Sequence, residues 1–442
     1  MAPHPDGKRN HARPGKEGNL PTSGQYTVTF HTAGGGSAPE PQTLAAGETA
    51  VEPGLTAEPE LAAEGLYRHV ISWYTDAACT AVWDFTAPVT QNLDLYGNGT
   101  VSPVNLDNQS GAHTLAKALG YIAEQSLSAA ASYTIVLDGN YPMPGIIRTT
   151  VDEPSAVANV KNPNAVITLA GKGPVEISPS TSGALFYIAA GELILDKNIT
   201  LKGGYGGMAL VSVDGSSASL LMKTGAKITG NSSSHFSGGV FVRGGSFTMS
   251  GGEISGNDDH GVYVYRGSFT MKAGEISGND GSGVYAGGGS FTMSGGKISA
   301  NNESGVYAGS GFTMSGGEIS GNYGGKISGM YIGNGGGVTV LGGGSFEMSG
   351  GEIRGNTASD SGGGVYCFYG SFSKTGGVVY GSNADTSLKN TAGSDDTNGH
   401  AVYYEGNEGK YYHDTTLNAG DDISTVALPA SGTGNNWTKK QP

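Results

Sequence analysis

A chain of 442 residues with 78 glycines, 14% charged residues and a formal net charge of −14 has room for more than one folded unit. The acidic balance disfavours nucleic acid and anionic membrane as partners, and no apolar run approaches the ~20 residues that a bilayer span needs. Cys79 and Cys367 fall in different predicted units, so no disulfide between them is expected, and they report little about compartment.

Residues 1–24 form a polar leader expected to be disordered. It lacks the apolar centre of a secretory signal. His4 and His11 have no partners at ligand spacing, so no metal site is expected there. From 25 the texture changes. YTVTF at 26–30 alternates as a half-buried strand and runs into the turn-like AGGGSAP. After a Pro-rich middle come HVISWYTD, AVWDF and NLDLYG, with Trp73 and Trp83 as aromatic anchors. The run YTVTFHTAGGGSAPEPQTLAAGETAVEP, then SWYTDAACTAVWDF and LDLYG, resembles the Listeria–Bacteroides repeat, a β-grasp-like module of bacterial surface proteins. Ala33-Gly34-Gly35 stands where that family turns on Asn-Gly-Gly, and Gly97-Asn98 replaces a closing Lys-Trp; both changes touch only a turn and the terminal strand.

Residues 99–112 read as a linker, and TLAKALGYIAEQS places Leu115, Leu119 and Ile122 at helical spacing. This predicts a helix over about 113–127 with one apolar face. From Tyr133 onward the chain is a run of strands, whose first coil would present open edges unless the helix capped it.

Between 246 and 356 one phrase recurs: SFTMSGGEISGN, SFTMKAGEISGN, SFTMSGGKISAN, GFTMSGGEISGN and SFEMSGGEIRGN. Phe247, Phe269, Phe291 and Phe312 step by 22, 22 and 21 residues, a period that marks a solenoid. A second word, GVFV, GVYV or GVYA, lies between copies. Each period therefore holds three short strands with Gly and Asn corners, one coil of a parallel β-helix. Strand alternation sends Phe247, Met249, Ile254, Val262 and Val264 inward. Asn257, Asn279, Asn301, Asn322 and Asn356 recur in register, as a stacked amide ladder requires.

The segments AHTLAKALGYIAEQ, YTIVLDGNY and LILDKNITLKGG are similar to bacterial surface proteins that carry a helix-capped, right-handed β-helix after such a β-grasp module. The resemblance implies an all-β chain with a right-handed parallel β-helix of the pectate-lyase-like, Gly-rich repeat type. It also implies an extracellular or cell-surface location. The expected boundaries are 1–24 leader, 25–98 β-grasp-like module, 99–112 linker and 113–442 capped solenoid.

Several motifs could carry chemistry. In DDHG at 258–261 the carboxylates occupy the corner after Asn257, the slot of Asp280-Gly281 and Asn302-Glu303 next door. Turn chemistry accounts for them better than glycoside cleavage does. The threonines Thr248, Thr270, Thr292 and Thr313, and the mixed column Glu253, Glu275, Lys297 and Glu318, read as ordinary outward strand residues. LPASG at 428–432 lacks the apolar span and basic tail of a sorting signal.

The best binding candidate is an outward aromatic column, Phe241, Tyr263, Tyr285, Tyr307 and Tyr366, with Tyr331 as a further candidate rung. Such rings form a stabilising ladder and also a strip for sugar rings or a partner protein. The expectation is a monomeric, non-enzymatic structural or adhesive protein without catalytic residues, metal or cofactor. It would bind glycans or a host or neighbouring-cell surface protein, with no nucleic acid and no membrane span. The alternative is a carbohydrate-active enzyme, a polysaccharide lyase or glycoside hydrolase, on the same scaffold.

Overall fold

The computed structural model describes residues 25–32, 38–51, 53, 66–68, 73–78, 80–97, 101–103, 112–127, 130–137, 139–143, 145–146, 159–204, 208–232, 238–325, 334–393, 398–407, 409–425 and 437–440. His4, His11, Cys79, Tyr331 and LPASG lie outside them. The chain divides into two units, Met1–Gly54 with Val70–Asn98, and Leu55–His69 with Gly99–Pro442.

In the first unit Gln25–Thr32 is a central strand. It pairs antiparallel with Gln42–Ala45 and parallel with Leu93–Gly97, which in turn pairs antiparallel with Trp73–Tyr74. Alternation along the central strand buries Val28 and Phe30 against Trp73, Val89 and Leu95. The Phe30 and Trp73 rings meet edge to face at 4.8 Å, the arrangement that their quadrupoles favour. Asp76 accepts backbone N–H groups from Thr80 and Ala81, which holds its carboxyl below the usual range and closes the turn of the WYTDAACTAVW motif.

In the second unit the strands Leu66–Arg68 and Val101–Pro103, paired antiparallel, precede helix α1, Ala112–Glu124. Leu115, Leu119 and Ile122 are fully buried in the same core as Tyr133, Ile135 and Leu137 of the first strand, as a cap requires. The helix C-terminus leaves carbonyls without intrahelical partners. Asn162 of the next coil answers this, its Nδ2 donating to the carbonyls of Ile122 (3.1 Å) and Gln125 (2.8 Å).

Beyond the cap the strands stack as three long parallel ladders, with a short fourth made of Tyr323–Gly324, Thr357–Ala358 and Thr391–Ala392. The first runs from Ala131–Leu137 through Ser246–Ser255 and Ser268–Ser277 to Ser371–Val379, and contains the SFTM words. The second arm contains the EIS words. The third is built largely from three-residue strands, Val240–Val242, Val262–Val264, Val284–Ala286 and Val306–Ala308 among them. The repeated phrase was expected to hold two strands parted by a glycine corner. In four coils (246–255, 268–277, 311–320 and 345–354) it is instead one ten-residue strand with register shifts at the corner. Only in the coil at 290 does it split, into Ser290–Met293 and Lys297–Ser299. The bend depends on Gly252 and its equivalents, whose φ values near +90° favour glycine. A Cβ on Gly252 would also lie 2.8 Å from the Met222 Cε.

Inside, Phe247, Phe269, Phe291, Phe312, Phe346 and Phe372 stack one above another, Phe291 on Phe312 at 4.8 Å and 6°. The asparagine ladder is present and longer than expected. In each of Asn257, Asn279, Asn301, Asn322 and Asn356 the Nδ2 donates to the next Oδ1 at 2.8–2.9 Å, and the series ends on Asn390. Asn390 lies in the polar stretch 382–399, which therefore includes a further corner of the solenoid.

The far end is closed by antiparallel pairing of Val402–Gly406 with Gly409–His413 and of Ser373-Lys374 with Ser424-Ile423. Here the inward methionine column ends in Lys374. Its buried Nζ donates to the carbonyls of Asn418 (2.5 Å) and Asp421 (2.9 Å), turning an apolar column into a polar seal.

Candidate functional site

The third ladder positions the candidate residues. From Val240–Val242 to Val338–Val340 its strands have three residues, so the middle one points out and the flanking valines or alanines point in. Val365–Phe368 and Val402–Gly406 continue the ladder as longer strands. Strand pairing sets Ser212, Phe241, Tyr263, Tyr285, Tyr307, Thr339, Tyr366 and Tyr403 in one register column. All five residues singled out by sequence therefore lie on one line. Thr339 fills the rung between Tyr307 and Tyr366.

The column is not uniform. Phe241, Tyr263, Tyr285 and Tyr307 are half-buried, whereas Tyr366 is only 4% exposed. Tyr366 clusters with Leu341 and Tyr403, a satellite core against which Tyr307 also packs. The open part of the column thus ends at Tyr307, and Tyr366 belongs to packing. Thr339 is buried with it, its hydroxyl 2.7 Å from that of Ser304.

Ring geometry decides what the open part presents. Tyr285 stacks on Tyr307 at 4.2 Å and 9°, and their hydroxyls hydrogen-bond. Tyr263 stands edge-on to Tyr285 at 5.1 Å and 83°, with Phe241 tilted against it at 5.2 Å. Stacked rings cover one another's faces, so Tyr285 and Tyr307 offer edges and hydroxyls to solvent. Burial, reinforced by Tyr307 and Glu303, raises the Tyr285 hydroxyl pKa, and burial raises that of Tyr263. Both stay neutral donors at physiological pH.

Sequence reasoning missed His260. Its ring stacks on Tyr285 at 4.7 Å and 23°, extending the ladder sideways into the corner. His260 occupies the slot held by Ser282 and Ser304 in the next coils, a substitution visible when NDDHG, NDGSG and NNESG are aligned at 257, 279 and 301. Gly281 makes room for it, since a Cβ there would lie 2.6 Å from the imidazole Nδ1. The Ser282 N–H donates to Nδ1 at 3.0 Å, which places the proton of the neutral ring on Nε2, 3.5 Å from Asp259 Oδ1. Burial lowers the His260 pKa, against the pull of Asp259.

Glu303 Oε2 lies 4.0 Å from Nδ1 and accepts the Ser282 hydroxyl at 3.1 Å. Burial raises its pKa despite that bond, and the Asp259 charge adds to the rise. The two aspartates of DDHG part company. Asp258 is exposed and accepts the Ser232 hydroxyl at 2.7 Å as a turn residue, whereas Asp259 turns to His260. The second arm carries a separate charged column, with Lys227–Glu253 at 2.8 Å, Lys297–Glu318 at 3.7 Å and Arg354–Glu318 at 2.8 Å. Among the described residues no group of three His, Cys, Asp or Glu could hold a metal ion, and no helix is long and apolar enough to cross a membrane. Cys367 is buried, its thiol pushed up to about 12.

Comparison with known families agrees with this architecture. The Listeria-Bacteroides repeat domain matches residues 26–97. The right handed beta helix region matches 175–313 and 209–413. No curated protein and no solved structure matches the chain. The two β-helix matches together span more than half of the 442 residues, so the chain belongs to the right-handed β-helix family and carries a Listeria-Bacteroides repeat domain ahead of its solenoid.

Proposed function

We propose that this is a non-enzymatic surface or secreted protein, in which the solenoid displays the Phe241–Tyr307 face to glycans or to the surface of a host or neighbouring cell. Both families suggest a surface or secreted protein. The observation that carries the reading is the half-buried aromatic column itself, held in register by parallel strands and bordered by Asp259 and Glu303. Rigid aromatic side chains with polar tips suit binding surfaces because little conformational entropy is lost on contact. The carboxylates at its edge are engaged by Ser282 and His260, which supports a binding role over acid–base cleavage. A panel of polysaccharides assayed for retention and for cleavage tests the proposal. Retention without product supports it, and product formation that is lost on Asp259→Asn or Glu303→Gln substitution replaces it with a carbohydrate-active enzyme.

A further inference from the structure

Next to the tyrosines, the corners of three successive coils read Asn-Asp-Asp-His at 257–260, Asn-Asp-Gly-Ser at 279–282 and Asn-Asn-Glu-Ser at 301–304. They set Asp258, Asp259, Asp280 and Glu303 along one edge, spanning two rung spacings or about 10 Å. Asp258 and Asp280 are exposed, Asp259 and Glu303 half-buried. No Lys or Arg occurs in the corners 257–260, 279–282 or 301–304. Arg266 stacks on Tyr265 on the far side of the tyrosine strand, and the basic neighbour at the edge, His260, is kept neutral by burial.

The contrast with the second arm is informative. Like charges on adjacent rungs repel, and there the fold relieves Glu253 with Lys227 and Glu318 with Lys297 and Arg354. The corner beside the tyrosines carries no lysine or arginine of its own, so a negative strip faces solvent. Beyond the tyrosines on the other side, Gly287, Gly288, Gly289 and Gly309 carry no side chains. The ground there is low on the rungs of Tyr285 and Tyr307, where an extended chain can lie, and rises at the exposed Tyr265 and at Arg266 beside Tyr263. A sugar ring cannot stack between Tyr285 and Tyr307, whose faces already cover each other at 4.2 Å. Hydroxyl edges and carboxylates remain.

From this charge complementarity we propose that the face docks a lysine- and arginine-bearing segment of a partner polypeptide. Its ammonium and guanidinium groups meet Asp258, Asp259, Asp280 and Glu303, while their apolar stems lie along Tyr263, Tyr285 and Tyr307. This rests on the binding reading of the same face and names the chemistry of the partner.

The intact chain is titrated with a short labelled peptide of alternating Lys and Ser, followed by fluorescence anisotropy, beside a neutral Gly-Ser peptide, chitosan oligomers and the polysaccharide panel. The Lys peptide binds, and its affinity falls steeply with added salt. Asp280→Asn with Glu303→Gln weakens it by about tenfold or more without moving the melting curve. Glu347→Gln, exposed on the first ladder, leaves it unchanged and controls for overall charge. Failure of the Lys peptide to bind, or equal binding by the double variant, overturns this inference. Preference for chitosan oligomers overturns the polypeptide assignment. Retention of a neutral polysaccharide in either case leaves the broader binding reading standing, whereas absence of every ligand removes both.

Discussion

Replacing Asn301 by Ala tests the asparagine ladder at its centre. Asn301 Oδ1 accepts two bonds from Asn279, from its backbone N–H at 3.1 Å and its Nδ2 at 2.9 Å. Its own Nδ2 donates to Asn322 Oδ1 at 2.9 Å and to the Ile276 carbonyl at 3.3 Å. Truncation removes all four, and both Asn279 and Asn322 are at most 1% exposed, so water does not replace the lost partners in an intact coil. The Asn279 N–H loses its acceptor outright. Asn279 Nδ2 keeps a longer bond to the Ile254 carbonyl at 3.4 Å, and Asn322 Oδ1 keeps the Asn301 N–H at 3.1 Å. One fully orphaned donor and two or three weakened groups, at about 1–3 kcal/mol for a buried unsatisfied group, give a destabilisation of about 2–5 kcal/mol. Because long repeat arrays can lose all-or-none cooperativity, urea unfolding should be paired with hydrogen exchange at the Asn279 amide, which is expected to lose protection with the variant. A loss below about 1 kcal/mol with unchanged exchange would show that the ladder is decoration on a core held by Phe, Met, Ile and Val alone.

Three further outcomes are expected from the same structure. Leu119→Asp with Ile122→Asp drives charge into the core beneath α1 and should convert soluble protein into aggregates by uncovering the first coil; unchanged monomer yield on size-exclusion chromatography removes the cap assignment. His413 is 5% exposed, its Nε2 has no hydrogen-bond partner among the described residues, and burial takes its pKa down to about 4. The unfolded chain therefore binds that proton first, so stability falls as pH drops from about 6.5 to about 4, by about 3 kcal/mol for this group. His260, also lowered, acts in the same direction. Glu303, raised, acts in the opposite one, its folded form gaining relative stability as its carboxylate protonates. Melting curves across that range should flatten in His413→Gln, and an identical slope would exclude His413 as the cause. Gly281→Ala forces a methyl to 2.6 Å from the His260 ring and should lower the melting temperature by several degrees and shift the His260 imidazole resonances. Unperturbed resonances would show that the ring does not rest there.

Much of the fold is written in residues whose meaning is local and repeated. The period of Phe247, Phe269 and Phe291 sets the coil, the alternation of GVYV sets which face each residue takes, and the spacing of Asn257 to Asn356 places the ladder. Those readings hold because a solenoid coil contacts chiefly its neighbours, so sequence register becomes spatial register. What was hidden depends on departures from the repeat. Asn390 continues the ladder after a longer coil, where spacing no longer announces it. Tyr366 is buried because Leu341 and Tyr403 close over it, Tyr403 from the next rung, which the column pattern does not encode. The continuity of the strand through Gly251-Gly252 reflects a bulge where composition suggests a stop. At the candidate face, the tyrosines were legible from position alone. His260 was not, because DDHG read alone is a turn, and only its stacking on Tyr285 draws the histidine into the ladder.

If the repeat is scaffold and the Phe241–Tyr307 face is the site, the most direct test is Tyr285→Phe with Tyr307→Phe, which keeps both stacked rings and removes the outward hydroxyls. Retention on the polysaccharide and Lys-peptide panels should fall by about tenfold, with a melting curve that stays near that of the parent. Full retention in the variant, or retention lost only in proportion to lost folding, would contradict that assignment and leave the column as structure alone.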